Sequence, residues 1–170
     1  MIRPATADDA AAVAHVHVSS WRSTYRGLMP DAVLDSLSVE RRAEFWRGVI
    51  QRAKTQFVFV VEDEDRIVGL VNGGLEQEAD PHYTAELYAL YLLEDYQGRG
   101  YGKALFRATV KTFVERGHTA MLLWVLSSNP SRGFYEAVGG RYLKTKPLEL
   151  GGGTLTEVAY GWDDLPSLVR

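Results

Sequence analysis

The 170-residue chain contains no cysteine, which excludes a disulfide framework, thiolate metal ligands and a cysteine nucleophile. It also lacks any uncharged apolar stretch of about 18 residues, the length a bilayer-spanning helix requires. The first residues, Met1-Ile-Arg-Pro, run into Asp8-Asp9 without the charged and apolar regions of an export signal, so a cytoplasmic chain with no membrane partner is expected. An excess of positive charge is missing too. The formal net charge is −3, and Arg41-Arg42 and the other basic residues are interspersed with Glu, as on a solvated helix face. No phosphate-neutralising surface is present, and a nucleic-acid partner is not expected. His15, His17 and His118 have no companions at metal-ligand spacing, so no metal is expected. What remains is a chain 46% hydrophobic and long enough to bury about 70% of its unfolded surface as a single domain spanning residues 1–170.

The densest signal is Gln97-Gly98-Arg99-Gly100-Tyr101-Gly102-Lys103, which follows the apolar run Leu87 to Leu93 and opens a helix-patterned stretch, Ala104 to Arg116. Glycines let backbone N–H groups converge without Cβ interference, and a helix N-terminus behind them adds unpaired donors and roughly half a positive charge. Such a strand-to-helix turn is built for a phosphate-bearing ligand. Two familiar phosphate loops fail residue by residue. The dinucleotide fingerprint G-x-G-x-x-G begun at Gly98 needs glycine where Lys103 stands. A P-loop ending at Lys103 needs glycine at Gln97 and Ser or Thr at Ala104.

The turn does match Q-x-x-G-x-G, and Asn129-Pro-Ser-Arg-Gly-Phe134-Tyr135-Glu-Ala-Val-Gly139 matches N-x-x-x-x-F-Y-x-x-x-G. With Glu86-Leu-Tyr-Ala-Leu-Tyr-Leu-Leu as the preceding strand, the chain resembles the GNAT superfamily of acetyl-CoA-dependent N-acetyltransferases. Gly140 departs from the pattern, standing where the family usually carries Phe, which leaves the packing there to be explained. The resemblance implies an α/β (α+β) fold: a mixed, mostly antiparallel sheet of about six to seven strands, helices on both faces, and a splayed central strand pair.

Local patterns agree in order. Ile2 to Ala5 reads as a strand, Thr6 as the cap of a helix reaching about Tyr25, and Pro30 and Ser38 as starts of helices ending near Leu37 and Ala53. Phe57–Val61 and 66–75 form a hairpin, and 83–93 forms the third strand. A helix over 101–116 ends at Gly117, 120–126 is a strand covered on both faces, and a helix over 130–138 precedes strands 141–150 and 154–162.

Acyl transfer to an amine needs a neutral amine, a stabilised oxyanion and a proton for the departing thiolate. With an amine pKa near 10.4, about one molecule in a thousand is neutral near pH 7.4, so a base is worth having. Strand alternation places Glu86, Tyr88, Leu90 and Leu92 on one face, and Glu86 is the preferred base. It is equally a strand-entering glutamate facing solvent, with His82 as the reserve. Resemblance implies that Tyr135 is the general acid and that the cofactor is held by Leu90, Tyr91, Leu92, Gln97, Gly98, Arg99, Gly100, Tyr101, Gly102, Lys103, Asn129, Arg132 and Tyr135, with an oxyanion donor at the backbone near Leu92. The acceptor, an amine of a small molecule or peptide, would meet Trp21, Tyr25, Leu28 and Tyr88, although an aromatic pair at i, i+4 is more often core. A non-catalytic CoA-binding module is the alternative reading. Tyr142, Tyr160 and Trp162 suggest a homodimer through the last strands, or packing within one chain.

Overall fold

Runs dense in β-branched and aromatic residues, such as Phe57-Val-Phe-Val-Val61, suit a pleated, buried surface. In the computed structural model, which describes residues 1–170, they build one seven-stranded sheet. Chain order is β1 (Ile2–Pro4), α1 (Ala10–Tyr25), α2 (Asp31–Asp35), α3 (Val39–Gln51), β2 (Gln56–Asp63), β3 (Arg66–Leu75), β4 (Ala85–Leu92), α4 (Tyr101–Glu115), β5 (Met121–Leu126), α5 (Arg132–Ala137), β6 (Arg141–Leu150) and β7 (Gly153–Trp162). The sheet order is β1-β2-β3-β4-β5-β7-β6, and every neighbouring pair is antiparallel except β4–β5. The expected mixed, mostly antiparallel sheet is therefore present, with helices on both faces. On one face His17 of α1 stacks on Tyr91 of β4. On the other, Phe113 of α4 lies under Gly73 so closely that a Cβ there would fall 2.9 Å from the ring.

Most element boundaries follow the sequence reading, and the exceptions have local causes. Ser38 caps α3, its hydroxyl accepting the Arg41 N–H at 3.2 Å. Thr6 does not open a continuous helix. The Asp9 carboxylate accepts the Thr6 N–H at 2.7 Å and an Arg3 N–H at 2.7 Å, which holds 7–9 in a tighter 3₁₀ turn before α1 begins at Ala10. Tyr83 and Thr84 stay out of β4 because the Asp80 carboxylate takes the backbone N–H groups of His82 and Tyr83.

The final strands serve the core. Tyr160 and Trp162 are buried, and only Tyr142 of the three aromatics invoked for association stays exposed. The Trp162 ring packs on Phe106 and fills the space above Gly140, where a Cβ would lie 2.7 Å from it. The phenylalanine missing from the second motif is thus replaced by a tryptophan from another strand, and no larger residue fits beside it. Truncating Phe113 to alanine, at a fully buried site beneath the sheet, is expected to cost about 3–5 kcal/mol in urea unfolding. Phe45→Ala, on the exposed side of α3, is expected to change stability by less than about 0.5 kcal/mol.

Candidate active site

Strands β4 and β5 pair only at Ala85↔Met121 and Glu86↔Leu122, then diverge. Beyond that point β4 keeps its other neighbour: the Leu93 N–H donates to the Val68 carbonyl of β3 at 2.9 Å. Residues alternate along an antiparallel strand, so the N–H groups of Leu90 and Leu92 turn toward the gap. The Leu92 carbonyl, on that open side, accepts the Ser20 hydroxyl at 3.0 Å and the Gln97 side-chain amide at 3.5 Å.

One irregularity rearranges the strand. Register passes from Gly73↔Leu87 to Asn72↔Ala89, leaving Tyr88 as the extra residue of a bulge. Its hydroxyl crosses over Gly74 to donate to the Leu75 carbonyl, on the face shared with Glu86. After the bulge the alternation is reset: Tyr91 faces α1, and Leu92 packs against Gly69 and Gly102 toward α4. The single-face reading of Glu86, Tyr88, Leu90 and Leu92 is therefore corrected, because an inserted residue breaks a period of two.

At the end of β4 the chain turns through Gly98 (φ +72°) and Gly100 (φ +88°), conformations that side chains with Cβ adopt only under strain. Helix α4 starts at Tyr101, and Ala104 is the residue whose N–H returns to the Gly100 carbonyl, at 3.1 Å. The N–H groups of Tyr101, Gly102 and Lys103 have no acceptor within the helix, leaving a cluster of donors at its positive end. Gly102 differs: a Cβ there would make ordinary contact with Phe134 at 3.4 Å and Leu92 at 3.6 Å, so packing alone does not demand glycine.

A cavity of about 630 Å³ runs from this turn along the gap to a chamber beneath α1 and the β6–β7 hairpin. Leu148 and Leu150 of β6 form its roof, and the hairpin tip at Gly151 abuts Pro30 and Val33. Tyr135 lines the cavity, and burial pushes its hydroxyl well above the ordinary tyrosine range, with the Tyr25 and Tyr91 hydroxyls adding to the effect. Tyr25 is raised in the same way, and its oxygen accepts the Asn129 amide N–H at 2.9 Å. Lys103 and Glu157 are the two charged residues in the lining, at the turn and in the chamber respectively. Burial raises the Glu157 carboxyl while nearby Lys146 lowers it. His17, behind the chamber, takes the Trp46 indole N–H on Nδ1 at 3.0 Å; burial lowers its pKa to about 3, so it is neutral and braces the ring of Tyr91.

Of the residues singled out from sequence, Leu90, Tyr91, Leu92, Gln97, Gly98, Gly100, Gly102, Lys103, Asn129 and Tyr135 meet in this one cavity, with Trp21, Tyr25 and Tyr88 in the chamber. Others lie outside the lining. Arg99 stacks over the Tyr96 ring at 4.9 Å, and Tyr101 sits at the outer start of α4. Arg132 is committed to the Tyr160 hydroxyl and the Ser127 carbonyl, both at 3.0 Å. Leu28 faces solvent in the turn after α1, and Met29 takes the lining position. Glu86, 9% exposed, stands behind the wall with its carboxylate accepting the Gln77 N–H at 3.3 Å. Burial raises its pKa to about 7, with Glu76 and Glu78 adding to the rise against the pull of Lys146 and the Gln77 N–H. His82 is engaged with Asp163 at 3.1 Å, away from the cavity. Sequence reading missed Ser20, Trp124 and Glu157. Ser20 and Thr24 at i, i+4 were findable as the polar edge of α1, whereas Trp124 and Glu157 depend on how β5 and β7 pair.

Residues 15–139 match the profile of the acetyltransferase (GNAT) family. Over 168 residues the chain is 34% identical to the uncharacterized N-acetyltransferase YuaI of Bacillus subtilis, covering 98% of this chain and 95% of that protein. Among solved structures it is similar to the PaiA N-acetyltransferase of Thermoplasma acidophilum in complex with coenzyme A, with a TM-score of 0.76, 22% identity and coverage of 92% and 96%. It is also similar to an N-acetyltransferase from Staphylococcus aureus Mu50, with a TM-score of 0.75, 20% identity and coverage of 97% and 98%. The chain belongs to the GNAT acetyltransferase family, whose acetyl donor is acetyl-CoA. The donors at 98–103 and the open strand edge fit such a ligand. Replacing Gly100 by valine places a β-branched residue at φ +88° and is expected to weaken CoA binding about tenfold or more by calorimetry.

Proposed function

We infer that the protein transfers the acetyl group of acetyl-CoA to a primary amine of a small molecule or peptide, by direct attack within a ternary complex. The observation that carries this reading is the single cavity joining the glycine turn, the open edge of β4, Tyr135 and an aromatic chamber. In this reading the backbone donors of 98–103 hold the diphosphate, and Lys103 adds charge. The pantetheine arm occupies the β4–β5 gap beside Asn129, and an N–H of Leu90 or Leu92 faces the carbonyl oxygen that becomes negative.

The proton balance follows from the groups available. One proton leaves the acceptor ammonium before attack and passes through water to Glu86, a positioning role at one remove from the cavity. The amine nitrogen then forms the C–N bond, and the C–S bond breaks. A second proton leaves nitrogen to restore Tyr135 as the Tyr135 hydroxyl proton moves to the departing sulfur. Because burial keeps Tyr135 protonated, it is available as an acid throughout the working pH range.

Two outcomes test these roles. Tyr135→Phe is expected to lower kcat about 100-fold in a thiol-release assay, with CoA affinity by calorimetry retained. Glu86 accepts a proton only when ionised, and its pKa is raised to about 7, so kcat/KM is expected to fall as pH drops below about 7. Glu86→Gln should abolish that inflection and leave only the higher one belonging to the amine.

A further inference from the structure

We propose that Glu157, with Trp124 beside it, forms an ammonium seat in the acceptor chamber and selects amines that carry a second positive charge. This rests on the acetyl-transfer reading above. The cavity is electrically polar along its length: its one lining cation, Lys103, stands at the glycine turn, and its one lining anion, Glu157, stands at the far end. Trp21, Tyr25, Tyr88 and Trp124 line the same cavity, and Trp124 and Glu157 share the Lys146 ammonium as a neighbour. An aromatic ring presents negative charge density at its face, so ring and carboxylate together attract an ammonium in a partly desolvated space.

The protein already displays this chemistry. The Nζ of Lys146, reaching in from β6, sits 4.0 Å from the centroid of the Trp124 ring and 4.0 Å from a Glu157 carboxylate oxygen, and it also pairs with Glu78. An ammonium is therefore accepted at this place, on two residues that face the cavity. The Lys146 side chain is 31% exposed, on the edge strand of the sheet, whereas Glu157 is 18% exposed. The lysine has solvent to withdraw into, with Glu78 outside to follow, while the carboxylate stays facing the chamber. Tyr25 lies within electrostatic reach of both Glu157 and Tyr135. The seat and Tyr135 are thus separate points of one cavity, which suits an acceptor whose second cation lies some bonds from its reacting nitrogen.

The opposite reading has Lys146 itself receive a carboxylate on the acceptor, and one experiment separates the two. Three acceptors of matched length differ only at the far end: n-butylamine, 1,4-diaminobutane and 4-aminobutanoate. The proposal expects kcat/KM, by thiol release from acetyl-CoA, to be about tenfold higher for the diamine than for butylamine, with 4-aminobutanoate lowest. Glu157→Gln should bring the diamine-to-butylamine ratio close to one, and Lys146→Met should raise it by freeing the seat. A diamine no better than butylamine, or a ratio untouched by Glu157→Gln, overturns the proposal while acetyl transfer to butylamine leaves the proposed function standing. Preference for 4-aminobutanoate, lost in Lys146→Met, also overturns it in favour of the lysine. If CoA raises the melting temperature and none of the three amines is acetylated, the proposed function for these amines falls. The seat is then judged by thermal shift in the presence of CoA: a shift with the diamine and none with 4-aminobutanoate supports it, and no selective shift sinks it.

Discussion

The structure turns on backbone polar groups that the sheet leaves without partners. A strand in the middle of a sheet normally satisfies both edges, and a buried N–H or carbonyl without a partner costs about 1–3 kcal/mol. Here β4 parts from β5 after Glu86, so its second half keeps hydrogen bonds on the β3 side alone. The deficit is tolerable because the gap opens into a cavity, and because Ser20 and Gln97 reach across to the Leu92 carbonyl. The remaining amides stay available to a ligand that can replace the missing strand.

Other features read as consequences of that opening. The bulge at Tyr88 comes soon after the last β4–β5 pair, shifting which side chains face the chamber and which support α4. Glycines on β3 accept the closer packing this demands, with Phe113 pressed under Gly73 and the Tyr88 ring over Gly74. The same wall that encloses the chamber also buries carboxylates, moving Glu86 toward neutrality and raising Glu157. Closing off water thus sets both the shape of the chamber and the ionisation of the carboxylates around it.

How far the sequence revealed this depends on the range of the interaction involved. The cradle was legible because it is local: seven consecutive residues specify the turn, its glycines and the helix behind it. Tyr135 and Asn129 came with a second contiguous motif. The faces of β4 were misread beyond Tyr88 because a bulge has no signature in a run of alternating apolar residues. Arg99 and Arg132 were grouped with the cofactor-binding residues through their neighbours in sequence; in the fold one lies on Tyr96 and the other is bonded to Tyr160 and Ser127. Glu157 carried no signal at all. Its place in the chamber follows from the pairing of Glu157 with Leu126 and Lys146, contacts that only the assembled sheet brings about. Gly140 shows the same limit from the other direction, since the ring that completes its packing comes from Trp162.

The hairpin over the chamber separates two kinds of inheritance within one chain. Its tip meets α2 through a small patch at Gly151, Pro30 and Val33, with no strand pairing across the contact. Insertions or deletions in 141–157 would lengthen or shorten the chamber like a telescoping sleeve, while the segment 87–103 with its glycine turn kept its shape. A lineage could therefore reshape the chamber by editing a peripheral ribbon, without rebuilding the glycine turn at the other end of the cavity.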